Sequence, residues 1–226
     1  DATIKYMREL FPKAKKIGII WNPGEACSET CTTIARESAK KYGFELLEVN
    51  VSGTSEVMDA LKSLLNKRID LFLTSGDNTV IMSLEAVAGI LRQYKIPYFT
   101  NSASDVQRGT FVSVGPDYYV VGKKIAQTTE RVIGGADPRN IPIESFAPDV
   151  IYLNLDLARE YGIDIADASL NKAAMVLSEG KLVNPREHRS ARQESASAKR
   201  LALFLFSDNP ILHETADGVM QEFEQN

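Results

Sequence analysis

The sequence predicts an α/β fold in which an open, doubly wound parallel sheet is covered by helices on both faces. Three observations predict it. Short apolar runs alternate with amphipathic stretches from residue 1 to residue 165. The runs are continuously apolar, as in Lys16–Trp21 (KIGIIW), which is typical of parallel strands that are buried on both faces. Polar turns rich in Asn, Pro, Gly and Asp separate each strand from the helix that follows.

Each element has its own signal in the chain. A first short helix over residues 4–11 ends before Pro12, and the stripe formed by Val57, Leu61 and Leu64 predicts a helix that opens at Thr54. The predicted strands cover residues 16–21, 45–51, 70–74, 97–100 and 110–114, and the other long helices cover 28–42, 79–94 and 118–133. Right-handed crossovers between these units give a Rossmann-like lobe.

The character of the chain changes after Ile165. We expect a ligand-binding lobe over residues 1–165, a helix and an exposed linker over 166–200, and the first strand and helix of a further, truncated lobe over 201–226. The last helix before the linker is expected within 166–183, and residues 184–200 are almost free of apolar side chains. A free apolar strand at 201–206 (LALFLF) predicts a strand-swapped homodimer.

Composition and motifs exclude several classes of function. A net charge of −4 and a pI near 5.4 argue against a nucleic-acid partner, which would need a basic face. The loop after the first strand lacks the dinucleotide fingerprint and the P-loop lysine, and no zinc spacing is present. Both histidines, His188 and His213, lie outside the main lobe. We therefore predict neither an enzyme nor a cofactor or metal site.

Polar side chains follow four of the predicted strands, where a doubly wound sheet binds its ligands. The candidate ligand-binding residues are Asn22, Glu25, Ser28, Ser75, Asp77, Asn78, Asn101, Ser102, Asp117 and Tyr118. A carboxylate at Asp117 could pair with an α-amino group. Several candidates have an equally good structural interpretation, because Ser28, Asp77 and Asp117 could instead cap helices. The sequence leaves both interpretations open.

Five segments occur in an order and at a spacing that resemble a known family. They are residues 11–26 (FPKAKKIGIIWNPGEA), 75–80 (SGDNTV), 105–109 (DVQRG), 114–119 (VGPDYY) and 151–163 (IYLNLDLAREYGI). Together they resemble the second lobe of the ABC-transporter substrate-binding proteins of the periplasmic-binding-protein type I fold, a family with receptors for tryptophan and related amino acids. Cys27 and Cys31 depart from it, because the family more often has small polar or aliphatic residues there.

The resemblance implies an extracytoplasmic solute-binding protein that captures a small amino acid-like ligand and delivers it to an ABC permease. Aromatic amino acids are among the ligands that it implies. It also implies a first lobe and an export or lipoprotein signal upstream of Asp1, in a periplasmic or membrane-anchored extracellular protein. Residues 201–226 resemble the start of a second copy of the first lobe. Two alternatives stay open: a ligand-sensing module of a signalling receptor, and a scaffold lobe that binds nothing.

Overall fold

The computed structural model describes residues 1–143, 147–183, 214–215 and 217–221. The strands are β1 (Lys16–Trp21), β2 (Glu45–Asn50), β3 (Leu71–Leu73), β4 (Tyr98–Thr100), β5 (Val112–Pro116), β6 (Asp149–Asn154), β7 (Met175–Ser178) and β8 (Lys181–Val183). The α-helices are α1 (Ala2–Leu10), α2 (Ala26–Lys41), α3 (Val57–Asn66), α4 (Asn78–Ile81), α5 (Leu84–Gln93), α6 (Tyr118–Ile133), α7 (Leu155–Tyr161) and α8 (Asp167–Leu170).

The strands form one sheet in the order β2-β1-β3-β4-β5-β6-β7-β8. β1 lies between β2 and β3 and is parallel to both, and the pairs β3–β4, β4–β5 and β6–β7 are parallel as well. The chain therefore leaves β1 in one direction along the sheet and returns to its other side for β3. This reversal is the topological switch point of a doubly wound sheet, and the predicted fold class is confirmed.

Two hydrophobic clusters cover the two faces of the sheet. Ile17, Ile19 and Trp21 of β1 belong to a cluster that also contains residues of α1, α2 and α7. Ile20 of the same strand belongs to a second cluster, together with Phe72 and residues of α3 and α5. Successive side chains of a strand point to opposite faces. The continuous apolar run of β1 is thus explained by burial on both sides.

The helix predicted within residues 166–183 is present, but it has only four residues. Only α8 is helical there, and it is followed by the antiparallel hairpin of β7 and β8. The two residues between these strands, Glu179 and Gly180, have φ angles of 54° and 72°. Two consecutive positive φ angles are the requirement of a two-residue hairpin turn, and the Gly at the second position meets it without strain.

The helix predicted over residues 79–94 is also interrupted. The chain leaves the helix at Met82 and Ser83, and α5 begins at Leu84 with Ser83 as its N-cap residue. Val80 and Leu84 are both buried in the second hydrophobic cluster. The apolar pattern thus continues across the interruption, which is why periodicity alone does not reveal it.

The chain divides into two compact units. The first contains Asp1–Gly115 and Val150–Pro185, and the second contains Pro116–Asp149 and Arg186–Asn226. Within the second unit, the helical residues 217–221 pack on α6 through glycines. A Cβ on Gly122 would stand 2.1 Å from the carbonyl oxygen of Thr215, and one on Gly218 would stand 2.1 Å from that of Tyr119. The two helix backbones are therefore in direct contact at this crossing.

In the part of the chain that the structure describes, none of the helices has the length and apolar character required to cross a bilayer. Residues 184–200 and 201–206, for which the sequence predicts a linker and a free strand, lie outside the described residues.

Candidate functional site

The loops that follow β1 and β3 lie side by side at the switch point. β1 and β3 are neighbouring parallel strands, so their carboxyl ends reach the same edge of the sheet. The helices that follow them pack on opposite faces, since buried residues of α2 belong to the first hydrophobic cluster and Val80 of α4 belongs to the second. Six of the predicted residues are brought together here: Asn22, Glu25, Ser28, Ser75, Asp77 and Asn78.

The buried side chain of Asp77 connects the loop after β3 to the loop after β1. Its relative exposure is 2%. Oδ2 accepts hydrogen bonds from the backbone N–H of Asn22 and from the hydroxyl of Ser28, both at 2.6 Å. Oδ1 accepts one from the N–H of Val80 at 2.8 Å, which makes Asp77 the N-cap of α4. The capping interpretation thus holds for Asp77, and the same carboxylate also fixes the first loop.

The side chain of Glu25 connects the loop after β1 to the start of α4. Oε2 accepts hydrogen bonds from the backbone and side-chain nitrogens of Asn78 at 2.9 and 3.0 Å, and Oε1 accepts from the N–H and hydroxyl of Thr79 at 3.0 and 2.6 Å. Partial desolvation of the carboxyl group raises its pKa, but the hydrogen bonds from Thr79 and Asn78 outweigh it, so the pKa of Glu25 lies below its usual range. The carboxylate is therefore held in its ionised form.

Asn22 completes this network. Its side-chain oxygen accepts from the N–H of Gly24 at 2.8 Å, and its amide nitrogen donates to the hydroxyl of Thr79 at 3.0 Å. The turn interpretation therefore applies to the oxygen, while the nitrogen ties the first loop to the second. Thr79 is the residue that the sequence analysis missed. It directly follows Asn78 in the motif 75–80, and its position at the start of a helix was the available signal.

Ser75 and Gly76 form the outer part of the second loop and lie against two cysteines of α2. The Ser75 side chain is hydrogen-bonded to the Cys31 thiol. Burial raises the pKa of the Cys31 thiol, and the neighbouring Cys27 thiol adds to that rise. Cys27 is exposed and Cys31 is partly exposed.

Asn101 and Ser102 lie further along the same edge, after β4. Ser102 precedes a short 3₁₀ helix (Ala103–Arg108) and contributes no side-chain cap, and its hydroxyl is 3.4 Å from that of Ser104. The backbone carbonyl of Asn101 is packed on Gly115, where a Cβ would stand 2.0 Å from the oxygen. Among the described residues, the Asn101 side-chain amide has no hydrogen-bond partner, so it remains available to a ligand.

Asp117 and Tyr118 belong to the second unit. Asp117 is buried and caps α6, because its Oδ1 accepts from the N–H of Val120 at 3.0 Å. Burial raises the pKa of Tyr118, and the negative charge of Glu214 raises it further. The cap interpretation therefore holds for Asp117, and the ligand role predicted for both residues stays a prediction.

The loops after β1 and β3 carry two acidic side chains without a basic partner. Within the described ranges, neither Glu25 nor Asp77 forms an ion pair with a Lys or Arg side chain, and all their partners are neutral donors. The edge of the sheet is therefore negative at the switch point. Such a surface favours a cationic group of a ligand, because no Lys or Arg side chain among the described residues is paired with either carboxylate.

A concavity of about 390 Å³ elsewhere in the first unit differs from this edge in its charge. Its charged side chains are already paired: Arg92 contacts Glu160, and Arg108 contacts Glu85 at 2.7 Å. A ligand charge would have to compete with these pairs. No group of three or more potential metal ligands occurs in the ranges that the structure describes, and both histidines lie outside those ranges.

Known proteins resemble this chain over most of its length. A family model described as ABC transporter substrate binding protein matches residues 1–177. A tyrosine-binding protein from Clostridioides difficile is 32% identical over 156 residues, which are 69% of this chain and 45% of that protein.

Three solved structures extend the comparison. A conserved domain protein from Vibrio cholerae has 29% identity and a TM-score of 0.68 over 76% of this chain and 58% of its own. A ligand-free, open substrate-binding protein with adhesive properties from Clostridium difficile has 26% identity and a TM-score of 0.63 over 73% and 56%. A domain from Streptococcus pneumonia in complex with L-Trp shares the fold, with 24% identity and a TM-score of 0.68 over 77% and 59%. The chain thus spans about half the length of these relatives.

Proposed function

The chain belongs to the family of ABC transporter substrate-binding proteins, and from that premise we propose that it contributes to the capture of a small amino acid-like solute for an ABC importer. Its role is binding without chemistry. The protein acts outside the cytoplasm and hands its ligand to an ABC permease, as the family assignment suggests. The names of two relatives, a tyrosine-binding protein and a domain complexed with L-Trp, support an amino acid as the ligand class.

The observation that carries the proposal is the negative, pre-organised edge at β1 and β3. Glu25 and Asp77 hold the two loops together through six hydrogen bonds from neutral donors, and a seventh, from Val80, caps α4. The loops therefore need little reordering when a ligand arrives, which lowers the entropic cost of binding. Their charge, which no Lys or Arg side chain of the described residues pairs, suits the ammonium group of an α-amino acid. The amide of Asn101 supplies a further donor and acceptor at the same edge.

The test is a thermal-unfolding screen of the natural full-length protein against the twenty amino acids and their deaminated analogues. A ligand present at about 100 times its dissociation constant stabilises the folded state by about 2.7 kcal/mol. We expect a shift with one class of amino acid and no shift with the matched analogue that lacks the ammonium group. A hydrogen bond to a charged group contributes about 1.5–3 kcal/mol, so the analogue should bind at least about ten times more weakly.

A pair of variants links the ligand to this edge. Asn101→Ala should weaken binding of the ligand found in the screen. Asn66→Ala is the matched control, because Asn66 is exposed at the end of α3, where the chain leads into the opposite edge of the sheet. Equal affinity of both variants, or a deaminated analogue that binds as well as the amino acid, contradicts the proposal.

A further inference from the structure

The first two turns of α2 carry two cysteines that lie together against the second loop. Cys27 and Cys31 are four residues apart, so their side chains lie on the same face of the helix. Both sulfurs approach one point. A Cβ on Gly76 would stand 2.5 Å from Sγ of Cys31 and 3.0 Å from Sγ of Cys27.

The backbone of the second loop keeps the two thiols together. Gly76 has a φ of +64°, a left-handed conformation that favours glycine, and the space beside its Cα is filled by the two sulfurs. Ser75 holds the Cys31 thiol from the same loop. Cys27 is exposed, which gives a small solute access to the pair from solvent. The fold therefore presents a dithiol of fixed spacing.

A disulfide and a zinc site both fit this arrangement poorly. Side chains four residues apart in a helix have Cβ atoms about 5–6 Å apart, whereas a disulfide needs about 3.5–4.5 Å. Closing the bond would unwind the first turn of α2 and pull Ser28 away from Asp77. A structural zinc ion needs four ligands. Across the described residues there is no cluster of three or more Cys, His, Asp or Glu side chains that could supply them.

We propose that Cys27 and Cys31 form a two-coordinate binding site for a soft monovalent metal ion, with Cu(I) as the ion of that chemistry. Thiolates select soft ions of this kind. One ion can contact both sulfurs when the exposed Cys27 side chain rotates to bring each thiolate to a metal–sulfur distance close to that of zinc–thiolate bonds, about 2.3 Å. Each thiol releases its proton to solvent, and each thiolate donates one electron pair to the ion. No electron is transferred.

The start of α2 offsets part of the negative charge that this step leaves on the pair. One monovalent cation and two thiolates carry a net charge of −1. The complex forms within the first turns of a 16-residue helix, whose N-terminal amides favour negative charge. No side chain caps this helix end, because the N-cap residue Glu25 directs its carboxylate to Asn78 and Thr79. The site does not depend on the proposed solute-binding function.

The experiment is a competition for Cu(I) between the protein and the chelator bicinchoninate, kept reduced by ascorbate under anaerobic conditions. Wild type should withdraw one Cu(I) per chain. Cys27→Ser and Cys31→Ser should each weaken the affinity by more than about 100-fold, because losing even a supporting partner of a metal ligand costs about 10–100-fold. Glu29→Gln, on the same helix turn, is the matched control and should bind as wild type does.

The proposed Cu(I) site is contradicted if wild type leaves Cu(I) with the chelator, or if either serine variant retains wild-type affinity and stoichiometry. Cys27→Ser alone carries the test should Cys31→Ser fail to fold, since Cys27 is exposed and its replacement removes no core packing. Unfolding curves of the metal-free variants check that each is folded.

Discussion

At the scale of single residues, Asp77 ties the loop after β1 to the loop after β3. It is buried and accepts three hydrogen bonds, from Asn22, Ser28 and Val80. In Asp77→Asn, an amide group replaces one of these acceptor oxygens and leaves buried donors unpaired. We expect the free energy of unfolding to fall by about 2–3 kcal/mol, measured by urea denaturation.

Asp59→Asn is the control for that substitution. Asp59 lies on α3 and is exposed, and its partner Lys62 is exposed as well. Exposed ion pairs of this kind contribute about 0–1 kcal/mol. Equal effects of the two substitutions would show that Asp77 does not hold the loops together.

Glu25 makes the stability of these loops depend on pH. Hydrogen bonds from Thr79 and Asn78 keep the pKa of Glu25 below its usual value in the folded protein. Its stabilising contribution is therefore fully present above the unfolded pKa of about 4.3 and is lost as the pH falls through the lower folded pKa. The stability difference between wild type and Glu25→Gln should shrink over that acidic range. A difference that stays constant from neutral to acidic pH would contradict this account.

The sequence predicts which residues line this edge but not what each side chain does. The signals at Asp77 and Glu25 are a carboxylate after a strand and a carboxylate before a helix. Capping and ligand binding produce the same signal. Only the positions of Ser28 and Thr79, 49 and 54 residues away from their respective partners, show which hydrogen bonds form.

At the scale of elements, α6 depends on a close helix crossing within the second unit. The Gly122 backbone meets that of Thr215, Gly218 and Val219, and a Cβ there would lie 2.1 Å from the carbonyl oxygen of Thr215, which cannot rotate away. Gly122→Ala should separate the helices at a cost of about 2 kcal/mol. Hydrogen exchange of the amides of residues 217–221 should then accelerate about 30-fold.

Gly89→Ala provides the contrasting case. Gly89 is also inside a helix, α5, but a Cβ there would meet nothing within 4 Å. Alanine is the better helix former, so this substitution should stabilise α5 by up to about 1 kcal/mol. Equal responses to the two substitutions would show that the crossing is not as close as described.

Elements with a continuous pattern are predicted closely, and elements formed by tight turns are not. β1 and α6 have the predicted bounds because an apolar run and a helical stripe are local signals. The hairpin of β7 and β8 was not predicted, since short strands with a two-residue turn offer few periodic positions. The interruption at Met82 and Ser83 keeps the apolar stripe in phase and so gives no signal in periodicity.

At the scale of the whole molecule, the fold class follows from the alternation of buried strands and helices, and the family assignment confirms it. The strand order places the loops after β1 and β3 together, although 49 residues separate Ser28 from Asp77. From the sequence, the proximity of these two loops follows only from the general rule that ligands of doubly wound sheets bind beyond the carboxyl ends of the strands at the switch point. The domain boundaries near residues 165 and 200 and the strand-swapped dimer stay predictions.

The central claim is that the edge formed by β1 and β3 binds an amino acid-like solute. The most direct measurement is hydrogen exchange of the natural full-length protein with and without the amino acid that gives the largest thermal shift. The account predicts slower exchange for the amides of residues 22–28 and 75–80, with little change in the hairpin of β7 and β8. Unchanged exchange in both loops, under saturating ligand, would contradict it.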